Sequence, residues 1–278
     1  MTNENELKEI VKKKYTEIAL MEGGDNKASC CGSGGCSNEV YNIMTDSYEG
    51  VPGYDPNADL GLGCGLPTEF AMIRPGDVVV DLGSGAGNDC FVARALTGAS
   101  GKVIGIDFSE AMIAKARVNA EKLGFDNVEF RLGDIDNMPM AAGTADVVVS
   151  NCVLNLVPDK ARVLGEIFRV LKSGGHFSIS DIVLEGQLPA GIQQAAEMYA
   201  GCVSGAIQKE EYLRLIAAAG FESIKVQKEK PIFIPDDILS SYLTADEITS
   251  FRNSLTGKFS VTVFARKPDC CDPATGCC

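Results

Sequence analysis

The sequence predicts an α/β protein built on a mostly parallel, doubly wound sheet, with a smaller C-terminal α+β part. Two observations carry this. Between about residues 74 and 183, short apolar runs alternate with helical stretches of roughly 12 residues, the pattern of βαβ units. A glycine-rich turn joins the first of those runs to the first of those helices.

Residues 4–20 carry Leu7, Ile10, Val11, Tyr15 and Ile18 at helical spacing and predict an amphipathic helix, with Lys12, Lys13 and Lys14 on its solvated edge. Residues 29–36 are cysteine, serine and glycine, too small to build a core, and read as a flexible thiol-bearing loop. A second glycine-rich stretch follows at 60–67. Strands are expected at 78–82, 102–107, 127–132, 146–150 and 175–183. The helices between them fall at 89–96, at 110–123 with Gly124 as stop, and at 159–171 with Ser173-Gly174-Gly175 as stop. Further on, 190–207, 208–219 and 237–255 read as helices, and 222–228 and 259–266 as strands. The organisation expected is a helix and cysteine-rich loop at 1–50, a cofactor-binding unit at 51–185, an acceptor-binding region at 186–268 and a flexible cysteine-rich tail at 269–278.

Lys and Arg number 25 against 38 Asp and Glu, a net charge of -13, which argues against a nucleic-acid partner. The polar N-terminus lacks the features of a secretory signal, and no apolar run reaches the roughly 18 residues of a membrane span. A cytoplasmic, monomeric protein with no membrane partner is expected. The unusual count is 11 Cys beside a single His and no Trp. One histidine excludes a Cys2His2 zinc site, and no CxxC pair supports a four-cysteine one.

The turn reads Asp81-Leu82-Gly83-Ser84-Gly85-Ala86-Gly87, and Asp107 ends the next strand about 20 residues after Gly87. A carboxylate at that place accepts the hydroxyls of a ribose. An acid at the start of the turn repels a pyrophosphate but suits an ammonium group, which favours S-adenosylmethionine over a nicotinamide dinucleotide. Asp134 and Ile135 follow the third strand, placed for an adenine. Over residues 74–183 the sequence resembles the class I S-adenosylmethionine-dependent methyltransferases, a Rossmann-like fold. The resemblance implies that Asp81, Gly83, Gly85 and Gly87 line the methionine part, that Asp107 holds the ribose, and that Asp134 and Ile135 lie by the adenine. Asn151, at the end of the fourth strand, is expected among the cofactor contacts.

Cys152 follows the fourth strand directly, where ligands of an open α/β sheet gather. Cys64 sits in the glycine-rich loop ahead of the sheet, and Cys202 on the segment after the fifth strand, both among small neighbours. Cys90 lies within an apolar helix and reads as core. Three thiolates without histidine suit a soft trivalent centre such as arsenic, whose own lone pair removes the need for a general base. Leu62-Gly63-Cys64-Gly65-Leu66-Pro67, Ser150-Asn151-Cys152-Val153-Leu154-Asn155-Leu156 and Tyr199-Ala200-Gly201-Cys202-Val203-Ser204-Gly205 make the chain, from about residue 11 to 266, resemble the arsenite methyltransferases.

That resemblance implies Cys64, Cys152 and Cys202 as arsenic ligands, arsenite–thiol adducts as substrates and an external thiol reductant of the glutathione or thioredoxin type. It also implies an N-terminal redox cysteine, for which Cys30, Cys31 and Cys36 compete and Cys31 is chosen. Cys270, Cys271, Cys277 and Cys278 read either as a metalloid-capturing tail or as a dispensable one. Two rival functions remain, a methyltransferase for a quinone or other small organic acceptor and a non-catalytic thiol protein that sequesters metals.

Overall fold

A computed structural model describes residues 4–20, 46–193, 203, 205–254 and 257–269. Its sheet has seven strands in the order β3-β2-β1-β4-β5-β7-β6. They are β1 (Val78–Leu82), β2 (Lys102–Asp107), β3 (Val128–Leu132), β4 (Ala145–Asn151), β5 (Leu171–Glu185), β6 (Glu222–Pro231) and β7 (Gly257–Arg266). The first five are parallel, whereas β7 runs antiparallel to both β5 and β6. Strand order reverses between β1 and β4, which creates a crevice beyond their carboxyl ends. β6 and β7, from the C-terminal part of the chain, complete the same sheet.

Helices cover both faces because the central strands are apolar on both. Val79 and Val103 pack on one side with Cys90, Phe91 and Ile113 from α3 (Asn88–Thr97) and α4 (Glu110–Leu123). Val80, Ile104 and Phe177 pack on the other with Val163, Leu164 and Ile167 from α5 (Lys160–Val170). Ser109 caps α4, its hydroxyl accepting from Met112 N, and Gly124, at φ +65°, closes it. The helix α1 (Glu4–Leu20) lays Val11 and Ile18 into the protein and its Thr16 hydroxyl 3.3 Å from that of Ser109, and a single turn, α2 (Pro67–Phe70), leads into β1.

Some expectations shift. α5 ends at Val170, ahead of the glycines, and β5 begins at once at Leu171. β5 is longer than 175–183 at both ends: Leu171 pairs with Ala145 of β4, and β7 pairs with the strand from His176 to Glu185. The single helix expected at 237–255 is two, Asp236–Leu239 and Ala245–Asn253, because Thr244 and Glu247 form a capping box that starts a new one. The helix expected at 190–207 is helical at α6 (Ala190–Gln193), and residues 194–202 and 204 lie outside the described residues. Its end is not helical: Ile207 O accepts from Leu184 N, which ties the chain to β5. The expected loop at 29–36 and the tail from Cys270 to Cys278 also lie outside the described residues.

Candidate active site

The turn from Gly83 to Gly87 bends sharply because Gly83 and Gly87 take left-handed backbone, at φ +66° and +101°. Each also lacks room for a side chain: a Cβ on Gly83 would stand 2.5 Å from Val153 Cγ2, and one on Gly87 2.8 Å from the Phe91 ring. Gly85 faces open space, with nothing within 4 Å of where its Cβ would be. Gly85 N donates to Asp107 Oδ2 (3.0 Å) and Ser109 N to Asp107 Oδ1 (2.8 Å), so β2 fixes the acid under the turn.

Gly83, Gly85 and Asp107 line a cleft at the carboxyl ends of β1, β2 and β4. Asp81, Gly83, Gly85, Asp107, Asp134, Ile135, Asn151 and Cys152 line it, whereas Gly87, expected beside the cofactor, and Cys64 are not among its lining residues. Asp81 and Asp107 are buried and Asp89 half-buried in one wall, and none is ion-paired among the described residues. Burial pushes Asp107 and Asp89 up to about 6. It pushes Asp81 well above the carboxylate range, the charge of Asp89 adding to the effect. Such a wall repels phosphates and favours a cation. Ser84 Oγ and Asn88 Oδ1 are buried beside it without partners among the described residues. A cationic nucleoside bearing hydroxyls and an amino group fits this donor set, and a pyrophosphate does not.

Cys64 and Cys152 are 0% and 1% exposed and share one apolar cluster with Leu156, Ile182, Leu188 and Ile192. Cys152 sits at φ +62°, a backbone conformation that a non-glycine residue keeps only when its surroundings hold it there. Its N–H donates to Ser180 O at 2.7 Å. The carbonyl of Cys64 accepts from the Ser260 hydroxyl on β7. Cys202 and Cys31 lie outside the described residues, but Val203, next to Cys202, is 1% exposed within the same apolar cluster. Among the described residues no three His, Cys, Asp or Glu side chains converge as a metal-holding group. Cys90 is core, as expected, and its thiol donates to Asp81 Oδ2 at 3.2 Å.

Several cleft residues escaped the sequence reading. Lys8, Val11 and Tyr15 bring α1 across the cleft, and Lys8 Nζ pairs with Asp134 Oδ2 (2.7 Å) and Asp136 Oδ2 (2.8 Å). Tyr48 Oη donates to Asp89, 2.7 Å from Oδ1. Asn151 was expected at the cofactor, yet its amide is taken up by protein: Oδ1 accepts from Cys64 N at 2.9 Å, and Nδ2 donates to Gly65 O at 2.9 Å and Tyr48 Oη at 2.8 Å. The apolar stripe of α1 was a legible signal for burial, though not for its destination.

Sheet order and the acidic glycine turn together define a class I methyltransferase. A family model described as a methyltransferase domain matches residues 73–220. An arsenite methyltransferase of Halobacterium salinarum is 41% identical over 241 residues, covering 83% of this chain and 62% of its own. One of Aquipseudomonas alcaligenes is 39% identical over 188 residues, 65% of this chain and 54% of its own. The chain thus spans 62% and 54% of the length of these relatives. The crystal structure of CrArsM, an arsenic (III) S-adenosylmethionine methyltransferase from Chlamydomonas reinhardtii, aligns with a TM-score of 0.63 at 33% identity. That alignment covers 74% of this chain and 68% of the other. The chain belongs to the arsenite methyltransferase family.

Proposed function

We propose that the protein transfers a methyl group from S-adenosylmethionine to trivalent arsenic held by the thiolates of Cys64, Cys152 and Cys202. One observation carries this: two cysteines from distant segments are buried together in one apolar cluster, and Cys152 opens on the acidic cleft. When bound, the cofactor supplies an electrophilic methyl on a sulfonium. Asp107 is the group for the ribose hydroxyls, Asp81 and the glycine turn for the methionine part, and Asp134 with Ile135 for the adenine.

The chain's own part in the chemistry is orientation and exclusion of water. The thiols of Cys64 and Cys152 lie in an apolar cluster, which keeps solvent from a metalloid bound there. Fixing the acceptor against the cofactor supplies up to roughly 7–11 kcal/mol of the barrier. No Cys–His pair is called for, because arsenic brings its own lone pair. The substrates are arsenite and methylarsenite delivered as thiol adducts, an external thiol of the glutathione or thioredoxin type restores the cysteines, and Cys31 is the redox partner. The biological outcome is arsenic detoxification in a reducing cytoplasm by a monomer.

The test is incubation of the reduced protein with methyl-labelled cofactor, arsenite and a thiol. Label is expected in methylated arsenicals. Its absence there, or its appearance in a quinone offered in parallel, would sink the reading. Binding of arsenite without consumption of cofactor would favour the sequestering protein.

A further inference from the structure

Asn151 is the last residue of β4 and is joined by a peptide bond to Cys152. Its side chain grips the loop of the other buried thiol. Oδ1 accepts from Cys64 N at 2.9 Å and Gly65 N at 3.3 Å, while Nδ2 donates to Gly65 O at 2.9 Å. Beyond the loop the same Nδ2 meets Tyr48 Oη (2.8 Å) and Asp89 Oδ2 (3.1 Å), which fixes which end of the amide is the donor. Gly63 closes over it: a Cβ there would stand 2.5 Å from Asn151 Nδ2.

We infer that Asn151 is a positioning residue for the acceptor, setting Cys64 against Cys152 so that both sulfurs reach one arsenic centre. The inference rests on the reading of those two cysteines as arsenic ligands. The Cys64 peptide is then anchored on both sides, its carbonyl by Ser260 and its N–H by Asn151. Cys152 is anchored by Ser180 O. Without the Asn151 oxygen, two backbone N–H groups of the loop lose their acceptor, and the spacing of the thiols is no longer set before the substrate arrives. Asp89 and Tyr48 hold the Nδ2 end of the same amide, so its oxygen is kept turned toward the Cys64 loop.

The experiment titrates arsenite into the reduced full chain, followed by As–S absorbance in the near ultraviolet. Cofactor affinity is measured separately by calorimetry with S-adenosylhomocysteine, and folding by thermal unfolding. Cys64→Ser comes first. If it leaves arsenite affinity intact, the ligand reading itself falls. Given that it weakens binding, Asn151→Ala is expected to weaken arsenite about tenfold while S-adenosylhomocysteine affinity stays within about twofold. The reverse pattern, weakened cofactor and intact arsenite, would overturn the assignment. So would a lowered unfolding midpoint with unchanged arsenite affinity.

Gly63→Ala gives a second arm that does not need the Asn151 variant to fold. It is expected to weaken arsenite in the otherwise native chain by displacing Asn151, and to have little further effect beside Asn151→Ala. Unchanged affinity in the single variant, or additive losses in the double one, would count against Asn151.

Discussion

Lys8 Nζ lies 2.7 Å from Asp134 Oδ2, which fastens the N-terminal helix across the cleft at the carboxylate expected beside the adenine. The ammonium also pairs with Asp136 at 2.8 Å, so one side chain on α1 bridges both acids after β3. The pairs are partly exposed, with 30% of the Lys8 side chain in solvent, and their strength is screened accordingly.

Lys8→Met is therefore expected to leave folding nearly unchanged, within about 0.5 kcal/mol, the usual effect of a surface substitution. Cofactor is expected to leave faster, because the helix carrying Val11 and Tyr15 is less firmly held over the cleft. Stopped-flow dissociation at low and high salt checks this. The native protein should show a salt-dependent off-rate and the variant a faster, salt-insensitive one. Equal rates in both proteins would remove α1 as a cover.

Asp107→Ala addresses the ribose. The carboxylate accepts from Gly85 N and Ser109 N, so part of its hydrogen-bonding capacity remains for a ligand. Its loss is expected to weaken cofactor by about 1.5–3 kcal/mol, the scale of hydrogen bonds to a charged group. Asp107→Asn should lose less, since its oxygen still accepts from the turn. Calorimetry with S-adenosylhomocysteine decides, and unchanged affinity in the alanine variant would refute the ribose role.

Buried carboxyls give the folded chain a pH dependence of definite sign. Burial raises Asp181 to about 7 and Asp89 and Asp107 to about 6, all above their ordinary value of 3.8. Between these values the folded state holds protons that the unfolded state has released. Their stabilising effect is thus fully present below about pH 4 and is lost as pH climbs through 6 to 7. Thermal unfolding without cofactor should show it as a fall in these groups' contribution across that window. Asp181→Asn, which keeps one oxygen to accept from Ile182 N and turns an amide N–H toward Tyr212 Oη, should raise the unfolding midpoint at pH 8 and leave it nearly unchanged at pH 4. A midpoint lowered equally at both pH values would show that Asp181 acts through its hydrogen bonds alone.

What the sequence revealed follows the range of the interactions. The glycine turn and Asp107 were legible because strand, turn and helix are local, and Cys152 because it leaves the end of β4. Lys8 was not, since it meets Asp134 across 126 residues of chain. Tyr48 and Asp89 were hidden for the same reason: the tyrosine comes from the loop ahead of the sheet, and the acid looked like an ordinary first-turn helix residue. Asn151 was assigned to the cofactor from its position alone. Its partners Cys64 and Gly65 come from a loop 86 to 87 residues earlier, which no periodicity reports.

The buried thiols fall in two different apolar clusters. Cys90 packs behind the glycine turn and bonds to Asp81, in a different apolar cluster from Cys64 and Cys152. Cys90→Ala should therefore lower stability by about 1–2 kcal/mol through lost packing and a lost hydrogen bond, and leave arsenite affinity intact. Cofactor affinity should fall slightly, because the Asp81 carboxyl loses its thiol donor. Cys152→Ser puts a hydroxyl into an apolar cluster and should lower stability by a similar ~1–2 kcal/mol, but it should also abolish transfer even of the first methyl. Single-turnover methylation, measured beside unfolding midpoints, separates the two. Full activity in Cys152→Ser would strike that thiol from the acceptor site, and loss of arsenite binding in Cys90→Ala would add a ligand on the far side of the cofactor turn.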